Sequence, residues 1–587
     1  MTAKDDEQPY TMKARIVRRV PDVEHISSLS HLHPLLARLY AARDISSTDQ
    51  LECSLGRLHG VEHLKEIGRA ADLLYRCMNK QQRILIVADF DTDGATSCAV
   101  AVRALRLLGA HHVHYIVPNR FEYGYGLTPE IVAVAAGWRP DLIVTVDNGI
   151  SSIEGVAAAK AHGIQVLITD HHLPGRQLPE ADVIVNPNQN GDGFPSKHLA
   201  GVGVIFYVML ALRARLREEG WFDQGGIVEP NLAQLLDLVA LGSVADLVPL
   251  DHNNRVLISQ GLARIRGSQC CAGIKALAAV AGRHTERLVA ADLGYALAPR
   301  LNAAGRLEDM GLGIACLLAD DYETAFTMAE ALNRLNVERR QIELEMHAKA
   351  LESLDRLRLT PAGDEIPAGL CLFDEGWHQG VIGILASRIK DRVNRPVIAF
   401  AMVSPDELKG SARSVPGLHI RDTLEAISAA YPTLLNRFGG HAMAAGLTLR
   451  RDDLEAFTVA FGEEVARRLS PTDLQGVVYS DGVLEPEHHT VEIAEMLRRA
   501  GPWGQDFPEP VFDSIFEVVK RRVVGERHLK MLLKLPGHPG LLDAIAFNTP
   551  SDDVPQLRHV HVAYKLDVND YRGQRSAQLL VEHVQAP

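Results

Sequence analysis

No CxxC pair occurs anywhere in the chain. Its seven cysteines are scattered over 587 residues, and the only close pair is the adjacent Cys270 and Cys271. That pattern argues against a zinc ribbon and suits a reducing compartment. Long apolar runs are missing too: none approaches the roughly 18 to 20 residues of a membrane span. The opening stretch "MTAKDDEQPYTMKARIVRRV" lacks the apolar core of a secretory leader, so a cytoplasmic protein is expected. Nor is there an excess of positive charge. The formal net charge of −13 argues against a protein that coats nucleic acid by bulk electrostatics, while leaving local basic grooves open. Part of the acidity can belong to metal ligands, whose charge a formal count leaves uncompensated. Fixed-period repeats and low-complexity tracts are absent. What is there, 47% hydrophobic and 23% charged residues, is ordinary globular composition. The length predicts three or four domains at roughly 100 to 200 residues each.

Between about residues 84 and 186, short β-branched runs alternate with alanine-rich helical stretches: "ILIVAD", "HVHYIVP", "DLIVTVD", "QVLITD" and "DVIVNP". Such alternation predicts βαβ units, with a parallel sheet covered by helices on both faces. Ligand sites of these sheets lie beyond the carboxyl ends of the strands. Three of the ends are acidic: "ADFDTDG" with Asp89, Asp91 and Asp93, "TVDNGI" with Asp147, and "ITDHH" with Asp170, His171 and His172. On an extended strand the three alternate aspartates would share a face, and their repulsion would raise at least one pKa unless a cation compensates. Further on, "LDLVALGSVADLVPL" reads as a helix leading to a loop that carries Asp246.

Asp91, Asp93, Asp147, His171 and Asp246 form a mixed carboxylate and imidazole set. Carboxylates suit Mg²⁺ and Mn²⁺, and the imidazole favours Mn²⁺. Five or more ligands exceed the need of one ion with open positions, so two ions are expected, activating a water and stabilising charge on a phosphoryl oxygen. His172, next to a ligand, is placed to contact the phosphate or donate a proton. A lone aspartate at a strand end usually caps a helix or solvates a turn, and for Asp170 the structural reading stays open beside the functional one.

Other regions follow. Residues 320–358 contain no glycine or proline and are rich in helix formers, predicting a long helix that joins two domains. "LTPAGDEIPAG", 359–369, reads as a linker. A second α/β region runs to about 465 and includes "RFGGHAMAAGLTL". The last stretch has alternating runs such as "IFEVVKRRVV" and "HVHVAYKLDV", which suggest a small β-barrel. The first 60 residues read as a helical lead-in.

"DFDTDG", "VDNG", "TDHH" and the aspartate of "GSVADLVPL", in this order, resemble the DHH phosphoesterase superfamily. "FGGHAMAAGL" looks like the glycine-rich motif of the DHH-associated domain, and "ALAPRLNAAGRLED", 296–309, narrows the resemblance to the RecJ family. The resemblance implies an α/β multidomain protein: a parallel-sheet DHH domain over 61–319, a long connecting helix over 320–358, a smaller α/β DHH-associated domain over 366–465 and a C-terminal OB-fold β-barrel over 476–587. It implies a 5′→3′ exonuclease on single-stranded DNA, using Mn²⁺ or Mg²⁺ and releasing mononucleotides, in recombination and repair. Metal ligands carry over onto Asp91, Asp93, Asp147, His171 and Asp246, with Asp89 close by; Asp93, Asp147, His171 and His172 are the catalytic candidates. Other superfamily members have a histidine where this chain has Val87, which weakens a pyrophosphatase reading. The resemblance also suggests a monomer; no membrane attachment is expected from the apolar runs, and a single-strand-binding protein and a helicase are candidate partners.

Substrate-phosphate elements of the family match Arg120, Arg300, Asn302, Arg306, Ser411, Arg413, Gly439, Gly440 and His441. Arginine forks bind phosphate bidentately and glycines let the backbone approach it. A single arginine serves as readily in a structural ion pair, and "GGH" can equally be a tight turn into a helix. Residues 510–538 hold six lysines and arginines against three acids, a basic face suited to single strands in an OB-fold. Phe512, Phe516 and Phe547 lie near it, and each reads first as core. Two rivals share the metal site or the fold: a phosphodiesterase of short oligonucleotides or cyclic dinucleotides, and a non-catalytic scaffold. The scaffold would have lost ligands, and none is missing.

Overall fold

The computed structural model describes residues 14–119, 122–358, 366–525, 528–547, 549, 554, 556–571 and 573–587. Two compact units emerge, one of residues 21–337 with 498–509, the other of residues 338–497 and 510–587 with the N-terminal residues before Pro21. In chain order the strands are β1 (Arg15–Arg18), β2 (Ile84–Ala88), β3 (Val113–Ile116), β4 (Leu142–Val146), β5 (Gln165–Thr169), β6 (Val183–Val185), β7 (Leu370–Phe373), β8 (Val397–Ser404), β9 (Glu407–Arg413), β10 (Arg437–Gly440), β11 (Ala444–Arg450), β12 (Val477–Ser480), β13 (Phe512–Val524), β14 (His528–Lys534), β15 (Leu541–Ala546), β16 (His559–Tyr571) and β17 (Gln574–Gln585).

In the first unit, β2 to β6 form a five-stranded parallel sheet in the order β3-β2-β4-β5-β6. The strands read as nearly continuous apolar runs because both faces are covered. Ile84, Ile86, Val144 and Leu167 enter one core with residues of the helices Ile67–Asn79, Thr92–Leu107 and Gly201–Glu218. Their alternates Leu85, Val87, Ile143 and Val166 enter another with the helices Pro129–Ala136 and Ile153–Ala161. The chain order reverses beside β2, so the ends of β2, β4 and β5 open side by side onto the crevice where such sheets bind ligands.

A helix of 37 residues, Tyr322–Arg358, runs from the first unit into the second. In the second unit its later part packs Met346, Ala350 and Leu354 against Ile382, Leu385 and Ile389 of the helix Ile382–Val393. Strands β7 to β11 form a mixed sheet in the order β10-β11-β9-β8-β7. Strands β13 to β17 close into a five-stranded barrel, as the OB-fold expectation requires. No helix among the described residues is long and apolar enough to cross a membrane.

The helical lead-in needs correction. Helices Val23–Ser28 and Pro34–Ala41 are present, but residues 15–18 form β1, paired in parallel with β12. Four residues are too few to show strand alternation without their partner, which lies more than four hundred positions away. "GGH" does not turn into a helix: it closes a β10–β11 hairpin, with the His441 N–H donating to Ala444 O at 2.8 Å. Most of the expected linker, 359–365, lies outside the described residues, as does Arg120.

Candidate metal centre

The aspartate triplet does not stay on a strand. β2 ends at Ala88, and Asp91 is the N-cap of the helix Thr92–Leu107, accepting from the Gly94 N–H at 3.0 Å. Asp93 therefore lies in the first helical turn. Its buried carboxylate accepts from the Gly201 and Val202 N–H groups at 2.7 and 2.9 Å, the open backbone donors at the start of the helix Gly201–Glu218. Gly201 is required there, since a Cβ would sit 2.6 Å from the Cβ of Asp147. Asp147 itself leaves β4 in the left-handed region, φ 63°, a strained backbone that aspartate tolerates better than most residues.

Three overlapping groups result, each with ligand atoms within 4.8 Å of one another: Asp89, Asp91 and Asp147; Asp93, His171 and Asp246; and Asp147, His171 and His172. His171 Nε2 lies 3.1 Å from Asp147 Oδ1, 3.5 Å from Asp246 Oδ2 and 3.9 Å from Asp93 Oδ2. Asp246 comes from the C-cap of the helix Leu236–Ala245. His171 Nε2 and Asp147 Oδ1 are buried, and neither makes a hydrogen bond. Such atoms are costly without a partner, and a cation accepted by both satisfies them. The electrostatics agree. Burial, and then the charge of Asp246, pushes Asp93 up to about 7. Burial and Asp91 push Asp246 up to about 7, and burial and Asp93 hold Asp147 well above the carboxylate range. Divalent ions would remove this repulsion.

Asp170 is not aimed at these groups. It accepts from the N–H groups of Ile150, His171 and His172 and holds His172 Nδ1 at 2.7 Å. Against the effect of burial, that bond keeps Asp170 low and lifts His172 to about 9. Supporting residues that the sequence reading missed complete the frame. Asn186 donates to His172 O at 2.9 Å and Asn188 to His171 O at 2.6 Å. The only trace of them in sequence is "NPN" after β6. Tyr125, about half exposed, sets its hydroxyl 3.3 Å from His172 Nδ1 and from Asp147 O.

Two of the substrate candidates make contacts within the fold. Asn302 Oδ1 accepts from the Thr92 N–H at 2.8 Å and the Thr92 hydroxyl at 2.9 Å, fixing the aspartate loop. Gly305 lets its helix, Ala298–Leu307, approach so closely, because a Cβ would collide with Phe90 O. Arg300 is buried and donates to Ala296 O and, at 3.0 Å, to Asn333 Oδ1. Arg306 is half-buried at the end of that helix. In the second unit, Ser411, Gly439 and Gly446 lie in one row across β9, β10 and β11. Arg413 donates to Ser411 Oγ at 3.1 Å, and the positions above Gly439 and Gly446 are open space. His441 is exposed at the hairpin.

In the barrel, Phe512 and Phe516 are fully buried, as their core reading requires, whereas Phe547 is 55% exposed beside His528. Lys520 and Arg522 are exposed on β13; Lys530 pairs with Asp543 at 2.8 Å. Arg527 lies outside the described residues.

Comparison with known proteins agrees with this arrangement. Residues 83–243 match the DHH family, N-terminal domain; 367–467 match the DHHA1 domain; and 480–583 match the RecJ OB domain. The chain is 52% identical to the single-stranded-DNA-specific exonuclease RecJ of Escherichia coli, over 98% of this chain and 100% of that one. The chain belongs to the RecJ family. Its Bacillus subtilis member is 31% identical over 96% of this chain and 70% of its own length. The structure of RecJ from Thermus thermophilus in complex with Mn²⁺ superposes with a TM-score of 0.78 at 29% identity, covering 98% of this chain and 79% of that one. Val87 of this RecJ-family chain is buried in the sheet's second core.

Proposed function

We propose that this chain is a metal-dependent exonuclease that degrades single-stranded DNA from the 5′ end and releases mononucleotides, in recombination and repair. The observation that carries the reading is the convergence of Asp89, Asp91, Asp93, Asp147, His171 and Asp246, with buried atoms of His171 and Asp147 lacking hydrogen bonds, in a member of the RecJ family. Asp91, Asp93, Asp147, His171 and Asp246, with Asp89 beside them, would hold two Mn²⁺ or Mg²⁺ ions. When bound, these ions lower the pKa of a water and stabilise charge on the scissile phosphate.

The chain's own groups orient the reaction. Asp170 fixes the ring of His172 by its Nδ1, so that the imidazolium can donate to a phosphoryl oxygen or return a proton to the leaving oxygen. Arg413, Ser411 and His441, beside the open surface over Gly439 and Gly446, are assigned to the strand's phosphates, together with Arg120 and Arg306. The exposed cations of β13 and Phe547 hold the strand further along by charge and stacking. The protein acts in the cytoplasm as a monomer, on strands that a helicase opens and a single-strand-binding protein covers.

Calorimetric titration of Mn²⁺ into metal-free protein tests the centre. Two sites per chain are expected, with at least one lost in Asp93→Ala; no binding would return the chain to the scaffold reading.

A further inference from the structure

The helix Thr92–Leu107 carries Asp93 near one end, and the helix Leu236–Ala245 carries Asp246 at its C-cap. Their opposite ends line one cavity of about 520 Å³, whose polar wall includes three arginines, Arg103, Arg106 and Arg264, and two aspartates, Asp237 and Asp320. By helical rise the cavity lies about 15 Å from the metal centre along either helix. Its volume is that of small-molecule sites.

The three arginines are not equivalent. Arg103 is tied to the fold, donating to Leu317 O and Ala319 O at 3.0 Å and facing Asp320 at 3.6 Å. Arg106 is exposed on the last turn of its helix. Arg264 is half-buried, and its Nε is shielded from solvent without a hydrogen bond. A desolvated guanidinium nitrogen lacking an acceptor is costly, and an anion in the cavity supplies one. Asp237 opposes an anion only weakly: it accepts from the Leu238 and Cys271 N–H groups at 2.9 and 2.7 Å, and burial pushes its carboxyl up. Arginine forks match phosphate, and Leu235, Leu238 and Leu318 provide an apolar wall for a base or sugar.

We propose that this cavity binds a nucleoside monophosphate, the product class of the reaction proposed above, and that its occupancy is felt at the metal centre through the two helices. The binding stands on the cavity alone, whereas the coupling rests on the exonuclease reading.

The test is calorimetric titration of dTMP into the full chain in EDTA, so that product binding at a loaded metal centre does not contribute. One site is expected, weakened at least tenfold in Arg106→Gln and Arg264→Gln and retained in Arg413→Ala. Arg106 is exposed, so its variant carries the test if Arg264→Gln disturbs the fold. No binding, or binding that only Arg413→Ala removes, overturns the site; inorganic phosphate binding as tightly as dTMP overturns the nucleoside assignment. For the coupling, saturating dTMP is expected to lower kcat on a single-stranded oligonucleotide without raising KM, and to have no such effect in Arg106→Gln, whose basal rate is unchanged. An unchanged wild-type kcat, with binding intact, overturns the coupling and leaves the exonuclease reading untouched.

Discussion

Asp93 begins a helix, accepts two backbone N–H groups from the start of another, and lies 3.9 Å from His171 Nε2. Its candidacy as a ligand was legible because acidic residues closed three of the five strand-like runs; that they meet through helix starts was not. Asp93→Ala is expected to reduce exonuclease turnover by about a thousandfold or more while the protein stays folded, as circular dichroism would report. Asn302 and Arg300 were matched to phosphate-binding elements by resemblance, and a sequence does not say which side of a helix faces the loop. Two positions apart, they point in nearly opposite directions, one to Thr92 and one into the core. Asn302→Ala is thus expected to weaken Mn²⁺ binding about 10- to 100-fold by calorimetry, as losses of supporting contacts do. The raised Asp93 and Asp246 give a pH signature. In metal-free protein these carboxyls stay protonated to about 7, whereas in the unfolded chain they ionise near 4. The folded state then binds more protons between those values, so stability falls as pH rises from about 4 to 7. Thermal melts should show that fall, and Mn²⁺ should reverse most of it at pH 7.

At the scale of elements, β-branched runs announced the strands of the parallel sheet and the barrel, but not the partner of β1. That pairing is held by a buried carboxylate. Asp513 on β13 accepts from Arg18 Nε at 2.9 Å, His561 Nε2 lies 2.8 Å away, and the Ser480 hydroxyl donates to it at 2.5 Å. These contacts join β1, β12, β13 and β16 in the second unit. Despite burial, the bonds from Arg18, Ser480 and His561 hold Asp513 down to about 2. A depressed folded pKa contributes stability above the unfolded value near 4 that is lost as pH falls toward 2. Asp513→Ala is expected to cost this unit about 2–4 kcal/mol by denaturant melts, a range reduced because Arg18 is partly exposed. An unshifted melt would show the hub to be passive. Phe516→Ala should cost about 3–5 kcal/mol, while Phe547→Ala should leave the melt unchanged and weaken strand binding by about 1–3 kcal/mol. Only burial separates these two phenylalanines; their sequence neighbourhoods do not.

For the whole molecule, the charge of −13 argued against coating nucleic acid by bulk electrostatics, and part of the answer is where the acids are. Five of them, Asp89, Asp91, Asp93, Asp147 and Asp246, gather with His171 and His172 in groups that could hold divalent ions, while exposed cations sit on the barrel. The proposed activity is removal of nucleotides from the 5′ end of single strands with Mn²⁺ or Mg²⁺. It is tested most directly by Mn²⁺-dependent digestion of one long oligonucleotide, labelled at the 5′ end in one reaction and the 3′ end in another, as single strand and as blunt duplex. Immediate release of 5′-labelled mononucleotide from the single strand alone is expected, with 3′-labelled products shortening gradually and Asp93→Ala inert. Hydrolysis of dinucleotides with the long strand left intact would contradict it.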